Sequence, residues 1–439
     1  MEFGKHLTKS LWGLADKALP VAYGIGYVYL VIRVLPDEEF GNFVLLQEIF
    51  LILSGLAAAL ALQPLLKFGS EDQPDDTDVL SVSVALHFGV LMASSLVVTS
   101  FRHELASILN APMLAPLLVW IPALLGASFI RNTALVLLQT RFQLQRVFWV
   151  DAAHFLGAPL LVWIMSRMHQ FDSAMDLIVI NVVSLSLSSA VGLVLVRTRL
   201  QFGSRPGWDV WKRVSRYGMY SFGSVFSYLL YSKADSFVLA AYSGPVTVAL
   251  YNSAKIFTRI FEMATQVVQM LVLPSVSFLS SRGEEASLKA LVEKAIMFST
   301  IGMVPVLLLL LAGPELLIDL LYGGRYAEAA GILRIFALMS LTVSILAIGS
   351  SVLMGLGEAR ASFFLGVQTL VVSVGSFFLF IPWLGVNGAA VASVVASVIM
   401  TWVTLRVTRR YVQMSTRGVL ARVYDIRAFI TRRFDELRH

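Results

Sequence analysis

Twelve runs of helical length, each rich in apolar residues, leave this chain few folds to choose from. They lie near residues 11–33, 41–66, 79–100, 113–137, 147–166, 174–196, 217–241, 248–273, 293–313, 330–355, 362–382 and 386–405. About 20 apolar residues cross a bilayer as an α-helix, whereas barrel strands show shorter segments of alternating polarity. The runs therefore predict an all-α, polytopic membrane protein. Composition agrees: 57% of residues are hydrophobic and 14% are charged, against roughly 25% charged in soluble domains. Turn-forming sequence separates the runs, as at Ser243-Gly244-Pro245 and Tyr322-Gly323-Gly324.

Lys and Arg set the orientation. With the N-terminus in the cytosol, the segments on that side hold 24 of them, and the opposite loops hold only Arg102, Arg167 and Arg325. Both termini are thus expected in the cytosol. The first residues are mildly basic but lack a small-residue cleavage site after a short apolar core, so they are expected to lead directly into the first span. The net charge of +6 is assigned to cytosolic loops and tail, not to nucleic-acid binding. The chain has no cysteine, which excludes disulfides and thiolate metal sites. Its six histidines form no HExxH, and neither a GxSxG elbow nor a GxxxxGK[ST] loop occurs. No catalytic residue, metal site or cofactor is assigned, and the chain is read as not an enzyme. A glycan polymerase would be expected to carry a large outward loop, and the longest outward segment runs only from about 314 to 329.

The chain is duplicated. The second span ends in Pro64-Leu65-Leu66-Lys67-Phe68-Gly69-Ser70 and the eighth in Pro274-Ser275-Val276-Ser277-Phe278-Leu279-Ser280, with Pro, Phe and Ser at the same spacing. Parallel repeats of this kind, related by an axis along the membrane normal, place substrate between halves. The expected division is an N-terminal six-helix lobe (1–200), a basic linker (201–216), a C-terminal lobe (217–410) and a basic amphipathic tail (411–439). In the tail, Val419, Leu420, Val423, Ile426, Phe429, Ile430, Phe434 and Leu437 recur at helical spacing, with arginines on the other face. That pattern predicts a helix on the anionic membrane surface.

The eighth span carries an anomaly. Asn252, Lys255, Arg259, Glu262, Gln266 and Gln269 recur at steps of three or four, which places them on one face of a regular helix. A charge at mid-bilayer costs at least about 2.5 kcal/mol, so the face is expected to look into a wet cavity. Lys255 and Arg259, two cations within five residues, then point to an anionic cargo. Gln266 extends the polar face. In the aligned repeat, Gln47, Leu51 and Ser54 occupy the places of Lys255, Arg259 and Glu262, so the cationic work is expected in the second half. The seventh span offers Ser221, Ser224, Tyr228, Tyr231 and Asp235 on one face. The tyrosines are assigned to the cavity, and the serines suit contacts between helices. The first span holds Asp16 and Lys17 before a kinking Pro20. Lys17 and Arg131 complete the cations assigned to the cargo path, although Arg131, Asp151 and His154 also read as a structural polar group, with Asp151 and His154 as i,i+3 partners. Asp16, Glu48, Asp235 and Glu262 are the carboxylates available for ion coupling, and Lys255 or Arg259 is a possible partner for Asp16.

The loops carry a family pattern. Leu321-Tyr322-Gly323-Gly324-Arg325-Tyr326-Ala327-Glu328-Ala329-Ala330 precedes the tenth span, and Leu384-Gly385-Val386-Asn387-Gly388-Ala389-Ala390 enters the twelfth. Leu35-Pro36-Asp37-Glu38-Glu39-Phe40-Gly41 follows the first, and Arg141-Phe142-Gln143 forms a short cytosolic loop. Together, up to about residue 410, they resemble the Wzx-type polysaccharide flippases of the multidrug/oligosaccharidyl-lipid/polysaccharide exporter superfamily. The resemblance implies two six-helix lobes around a central cavity lined by helices one, two, seven and eight. The implied cargo is an undecaprenyl-diphosphate-linked oligosaccharide, carried across the bacterial inner membrane for O-antigen or exopolysaccharide synthesis. Coupling to an H+ or Na+ gradient is implied, as are membrane lipids and polysaccharide-assembly proteins as partners, with the chain acting as a monomer. The main alternative, a cation-coupled multidrug exporter, would be expected to show acidic stripes where this chain has Lys17, Lys255 and Arg259.

Overall fold

The structure, a computed structural model, describes residues 12, 15–16, 18–20, 22–24, 26–27, 29–32, 34–70, 76–168, 171–203 and 206–423. Among them every regular element is helical. A shorter apolar helix, α1 Ala18–Ile32, comes first, and the candidate spans that follow it are α2 Asp37–Phe68, α3 Thr77–Ser100, α4 Leu114–Gln139, α5 Leu144–Arg167 and α6 Ala174–Val196. The stretch Trp208–Ser281 is broken at Gly244 (φ 76°, ψ 178°) into α7 (208–243) and α8 (245–281). Then come α9 Glu285–Ala312 and α10, a pair bent by 46° between Ala329–Ala337 and Ser340–Gly355. Arg360–Tyr411 is broken at Gly385 (φ 56°, ψ −130°) into α11 (360–384) and α12 (386–411). Both breaks need backbone angles that L side chains rarely adopt, which is why glycine stands there. The all-α, polytopic architecture expected from hydropathy is present among the described residues.

Two helices begin earlier than hydropathy places them: α7 at 208, not 217, and α9 at 285, not 293. Hydropathy marks the length buried in hydrocarbon. Backbone hydrogen bonding carries the helix on into the polar headgroup layer, through Trp208–Arg216 and Glu285–Lys294.

By packing, the chain falls into two compact units, Met1–Leu250 and Tyr251–His439. In the first unit α6 is a closely packed centre. Its small residues recur at steps of four, and each meets a neighbour: Ser184 Oγ bonds His154 Nδ1 at 3.0 Å, Ser188 Oγ donates to the Val150 carbonyl at 2.5 Å, and Gly192 packs on Ala134 and Val150. Lipid supplies no hydrophobic drive between helices, so close approach at small residues and interhelical hydrogen bonds hold them together. His154 thus bonds across to α6 and not to Asp151, its expected partner on α5.

Helix α7 also belongs to the first unit, running antiparallel to α2. Gly218 faces the Leu60 carbonyl, Gly55 faces Leu229, and Gly41 faces the Pro245 carbonyl just beyond the break. A Cβ on Gly41 or Gly218 would lie 1.9 Å from the facing oxygen, so the two backbones meet near both ends of the pair.

In the second unit, Val272 and Val276 of α8, Val292 and Ile296 of α9, and Ile348 and Val352 of α10 form one core cluster with Val412 and Met414. The chain beyond α12 is therefore anchored inside this core. Ser415 caps the short helix Thr416–Ala421. Buried Glu293 accepts from Ser415 N at 3.3 Å and from Arg422 at 3.1 Å. The tail expected on the membrane surface starts instead as a segment docked on α9. Its residues 424–439 lie outside the described residues. Glu293→Ala removes both contacts at a cost of about 1–3 kcal/mol. Limited proteolysis should then cut near 412–423 sooner than in the wild type, with the helical circular dichroism unchanged.

Candidate functional site

Helix α8 is amphipathic within its own unit. Tyr251, Ala254, Phe261, Val272 and Val276 are buried, while Glu262 and Gln266 are exposed and Asn252, Lys255, Arg259 and Gln269 are half-buried. Its polar residues thus occupy the accessible side, as their spacing predicts. The helix is not regular, however. Ile256–Thr258 is a 3₁₀ turn lying between the two cations. Each 3₁₀ step advances about 120°, against 100° in an α-helix. Three such steps swing Asn252 and Lys255 by about 60° relative to Arg259 and the residues beyond it. The single face expected from spacing is therefore two patches, Asn252 with Lys255, and Arg259 with Glu262, Gln266 and Gln269.

The upper patch rests on a fixed base. The Lys255 ammonium lies 5.6 Å from the centre of the fully buried Tyr251 ring, which contacts Phe336 at 5.4 Å and reaches Ser393 through its hydroxyl at 3.4 Å. Tyr322, on the short helix Pro314–Tyr322, donates its hydroxyl to the Ser253 carbonyl at 2.8 Å. Burial raises the Tyr322 hydroxyl above its ordinary pKa, so it stays a donor. An aromatic face attracts a cation through the ring quadrupole, which seats the Lys255 ammonium against Tyr251.

The first unit holds the other assigned residues. On α7, Tyr228 is exposed and Tyr231 half-buried, their rings 6.5 Å apart. Asp235 is buried and accepts from Ser236 N at 2.8 Å. Glu48 of α2, also buried, faces Lys233 at 3.5 Å and accepts from Ser236 Oγ at 3.2 Å. The Glu48–Lys233 pair escapes sequence reading because its partners stand 185 positions apart.

Arg131 has a partner of its own. It forms an ion pair with Asp151, bonds Asn132 Oδ1 at 3.2 Å, and stacks 5.6 Å from the Phe155 ring. Asp16 is buried. With Arg131 12% and Asp151 14% exposed, little of the guanidinium is open to a cargo. Lys17 lies outside the described residues. No cluster of three or more His, Cys, Asp or Glu fit to hold a metal occurs among the described residues.

Comparison with known proteins places this geometry. Residues 30–331 match the polysaccharide biosynthesis protein family. A probable low-salt glycan biosynthesis flippase of Haloferax volcanii is 24% identical over 216 residues, covering 48% of this chain and 44% of that protein. The chain spans less than half the length of the curated relatives it matches. Among solved structures, an inward-facing multidrug resistance MATE family transporter of the MOP superfamily superposes with a TM-score of 0.73 at 16% identity, over 91% of this chain and 98% of that one. The lipid II flippase MurJ, in an inward closed conformation, does so with a TM-score of 0.73 at 13% identity, over 94% and 89%. These two likenesses are of fold. With the family match spanning well over half its length, the chain belongs to the polysaccharide biosynthesis protein family, in a fold shared with MOP-superfamily transporters.

Proposed function

We propose that the chain is a flippase that moves an undecaprenyl-diphosphate-linked oligosaccharide from the cytosolic to the periplasmic leaflet by alternating access. It would serve cell-surface polysaccharide synthesis, O-antigen or exopolysaccharide, in the bacterial inner membrane, with both termini cytosolic. The observation that carries this reading is the pair Lys255 and Arg259 on the accessible side of α8, in a chain of a polysaccharide-building family. A diphosphate moving through a low-dielectric layer needs its water replaced by cations and donors, and a guanidinium with a nearby ammonium supplies both. Gln266, with Tyr228 and Tyr231 on α7, would meet the sugars. Driving force would come from an H+ or Na+ gradient through Asp16, Glu48, Asp235 or Glu262, without a bound cofactor. The first three are buried and Glu262 is exposed.

The test is to replace Lys255 and Arg259 by Ala, separately, in cells that depend on this protein for surface glycan. A lost charge-assisted contact of about 1.5–3 kcal/mol corresponds to roughly 10- to 100-fold. Export should fall by about that factor in Arg259→Ala and by less in Lys255→Ala, at wild-type protein levels. Normal export by both variants would remove the anionic-cargo reading and favour the cation-coupled multidrug alternative.

A further inference from the structure

The foot of α7 carries a second cationic site, well away from the α8 cations in sequence and absent from the cargo path proposed above. At 1.5 Å per residue α7 spans about 54 Å, and α2 about 48 Å, against roughly 30 Å of hydrocarbon. The end at which Lys67 of α2 meets the first turns of α7 therefore lies at headgroup level. There a cavity of about 450 Å³ opens, lined by Phe68, Arg213, Tyr217 and Tyr220 together with Lys212, Arg216 and a single carboxylate, Asp209. Sites of this size suit a small ligand.

The cavity is built around aromatic rings. Phe68 and Tyr217 meet edge to face with centroids 5.6 Å apart. The Lys67 ammonium lies 4.7 Å from the Tyr217 ring and 5.4 Å from the Phe68 ring, and the Arg213 guanidinium lies 5.0 Å from Phe68. Lys212 and Arg216 are exposed and make no ion pair among the described residues. The frame behind them is fixed: Val214 is fully buried against Leu62, Leu65 and Val79, and Gly203 of the preceding linker is pinned to Thr77 O at 3.2 Å and to Ser81 Oγ at 2.9 Å. Toward the hydrocarbon the wall continues through Met219 and Tyr220, 60% and 76% exposed. Cations at headgroup depth above an exposed apolar wall match an amphiphile with a phosphate head and a hydrocarbon tail.

We infer that this cavity binds the phosphate head of a membrane lipid in the leaflet that faces the basic loops. The topological role of Lys and Arg requires only charge on this side of the membrane. It does not require a cavity or an aromatic clamp. Two lipids carry the needed chemistry, an anionic phospholipid and a polyprenyl diphosphate, and the experiment separates them.

Native mass spectrometry on the purified full chain would titrate phosphatidylglycerol, phosphatidylcholine and a polyprenyl diphosphate, with inorganic phosphate as competitor. The wild type should bind phosphatidylglycerol, the polyprenyl diphosphate or both at least tenfold more tightly than phosphatidylcholine. Lys212→Gln, Arg213→Gln and Arg216→Gln combined should abolish that preference. Arg213→Lys with Arg216→Lys keeps the charge and the topology and should weaken binding several-fold through loss of the bidentate grip. Loss confined to phosphatidylglycerol identifies a phospholipid site, and loss of the polyprenyl diphosphate identifies an entry station for cargo. Because the α8 cations are proposed to hold the same diphosphate, the polyprenyl-diphosphate arm is run with Lys255→Gln and Arg259→Gln in every variant. There the preference set by the α7 cavity should persist and the added triple change should abolish it, so failure of the α8 assignment is not mistaken for failure of this one. Wild-type lipid preference in the triple variant, or inorganic phosphate competing as well as the lipids do, would overturn the inference.

Discussion

Asp151→Ala should destabilise the protein by about 3–5 kcal/mol, the cost of leaving one partner of a buried ion pair uncompensated. Arg131 sits between α4 and α5 with its ion-pair partner on α5, and its Nε already lacks a hydrogen-bond acceptor among the described residues. Thermal melts in detergent should show a large fall in Tm for Asp151→Ala. Arg131→Leu combined with Asp151→Leu should recover most of it, because an apolar pair of similar volume needs no desolvation. If Arg131 instead served the cargo, Asp151→Ala would melt like the wild type and lose only export.

Gly41→Val should prevent α2 and α7 from packing. The first carbon of the new side chain would lie 1.9 Å from the Pro245 carbonyl oxygen, where a C···O contact needs about 3.3 Å or more. That obstacle is backbone, which cannot rotate away as a side chain would. Overpacking costs about 1–3 kcal/mol where neighbours yield, and more is expected here. The chain has no native cysteine, so a clean proximity assay is available. Glu48→Cys with Ser236→Cys should crosslink in the wild-type background, and the yield should collapse in Gly41→Val. Gly89→Ala is the control: nothing lies within 4 Å of its added carbon, and crosslinking should be unaffected.

These two results rest on features that differ in how far sequence reveals them. Span positions were legible because hydrocarbon burial writes itself into twenty-residue runs, and Pro64 and Pro274, which suggested a repeat, each lie inside a helix, α2 and α8. The polar side of α8 was legible from its 3.6-residue period. The 3₁₀ turn at Ile256–Thr258 was not, since Ile-Phe-Thr has no breaker residue. Pairings such as Glu48 with Lys233 were hidden for a different reason. Period and composition say which face a residue occupies but not which distant helix lies opposite. The foot of α7 was masked by the same basic residues from which orientation is read: their count is absorbed by the topology expectation, and only the folded arrangement puts Phe68 and Tyr217 among them. In the tail, arginines at helical spacing pointed to a membrane surface, while buried Glu293 drew Arg422 and the chain's first tail turn onto α9.

The most direct measurement of the central claim is translocation in proteoliposomes. Purified protein would be offered a fluorescent polyprenyl-diphosphate glycan in one leaflet and, separately, a cationic dye. The account predicts that the wild type moves the glycan lipid and leaves the dye. It also predicts that Lys255→Gln with Arg259→Gln slows glycan movement at least about tenfold while the protein melts at the wild-type temperature. Dye export without glycan movement, or a double variant that flips the glycan at the wild-type rate, would contradict it.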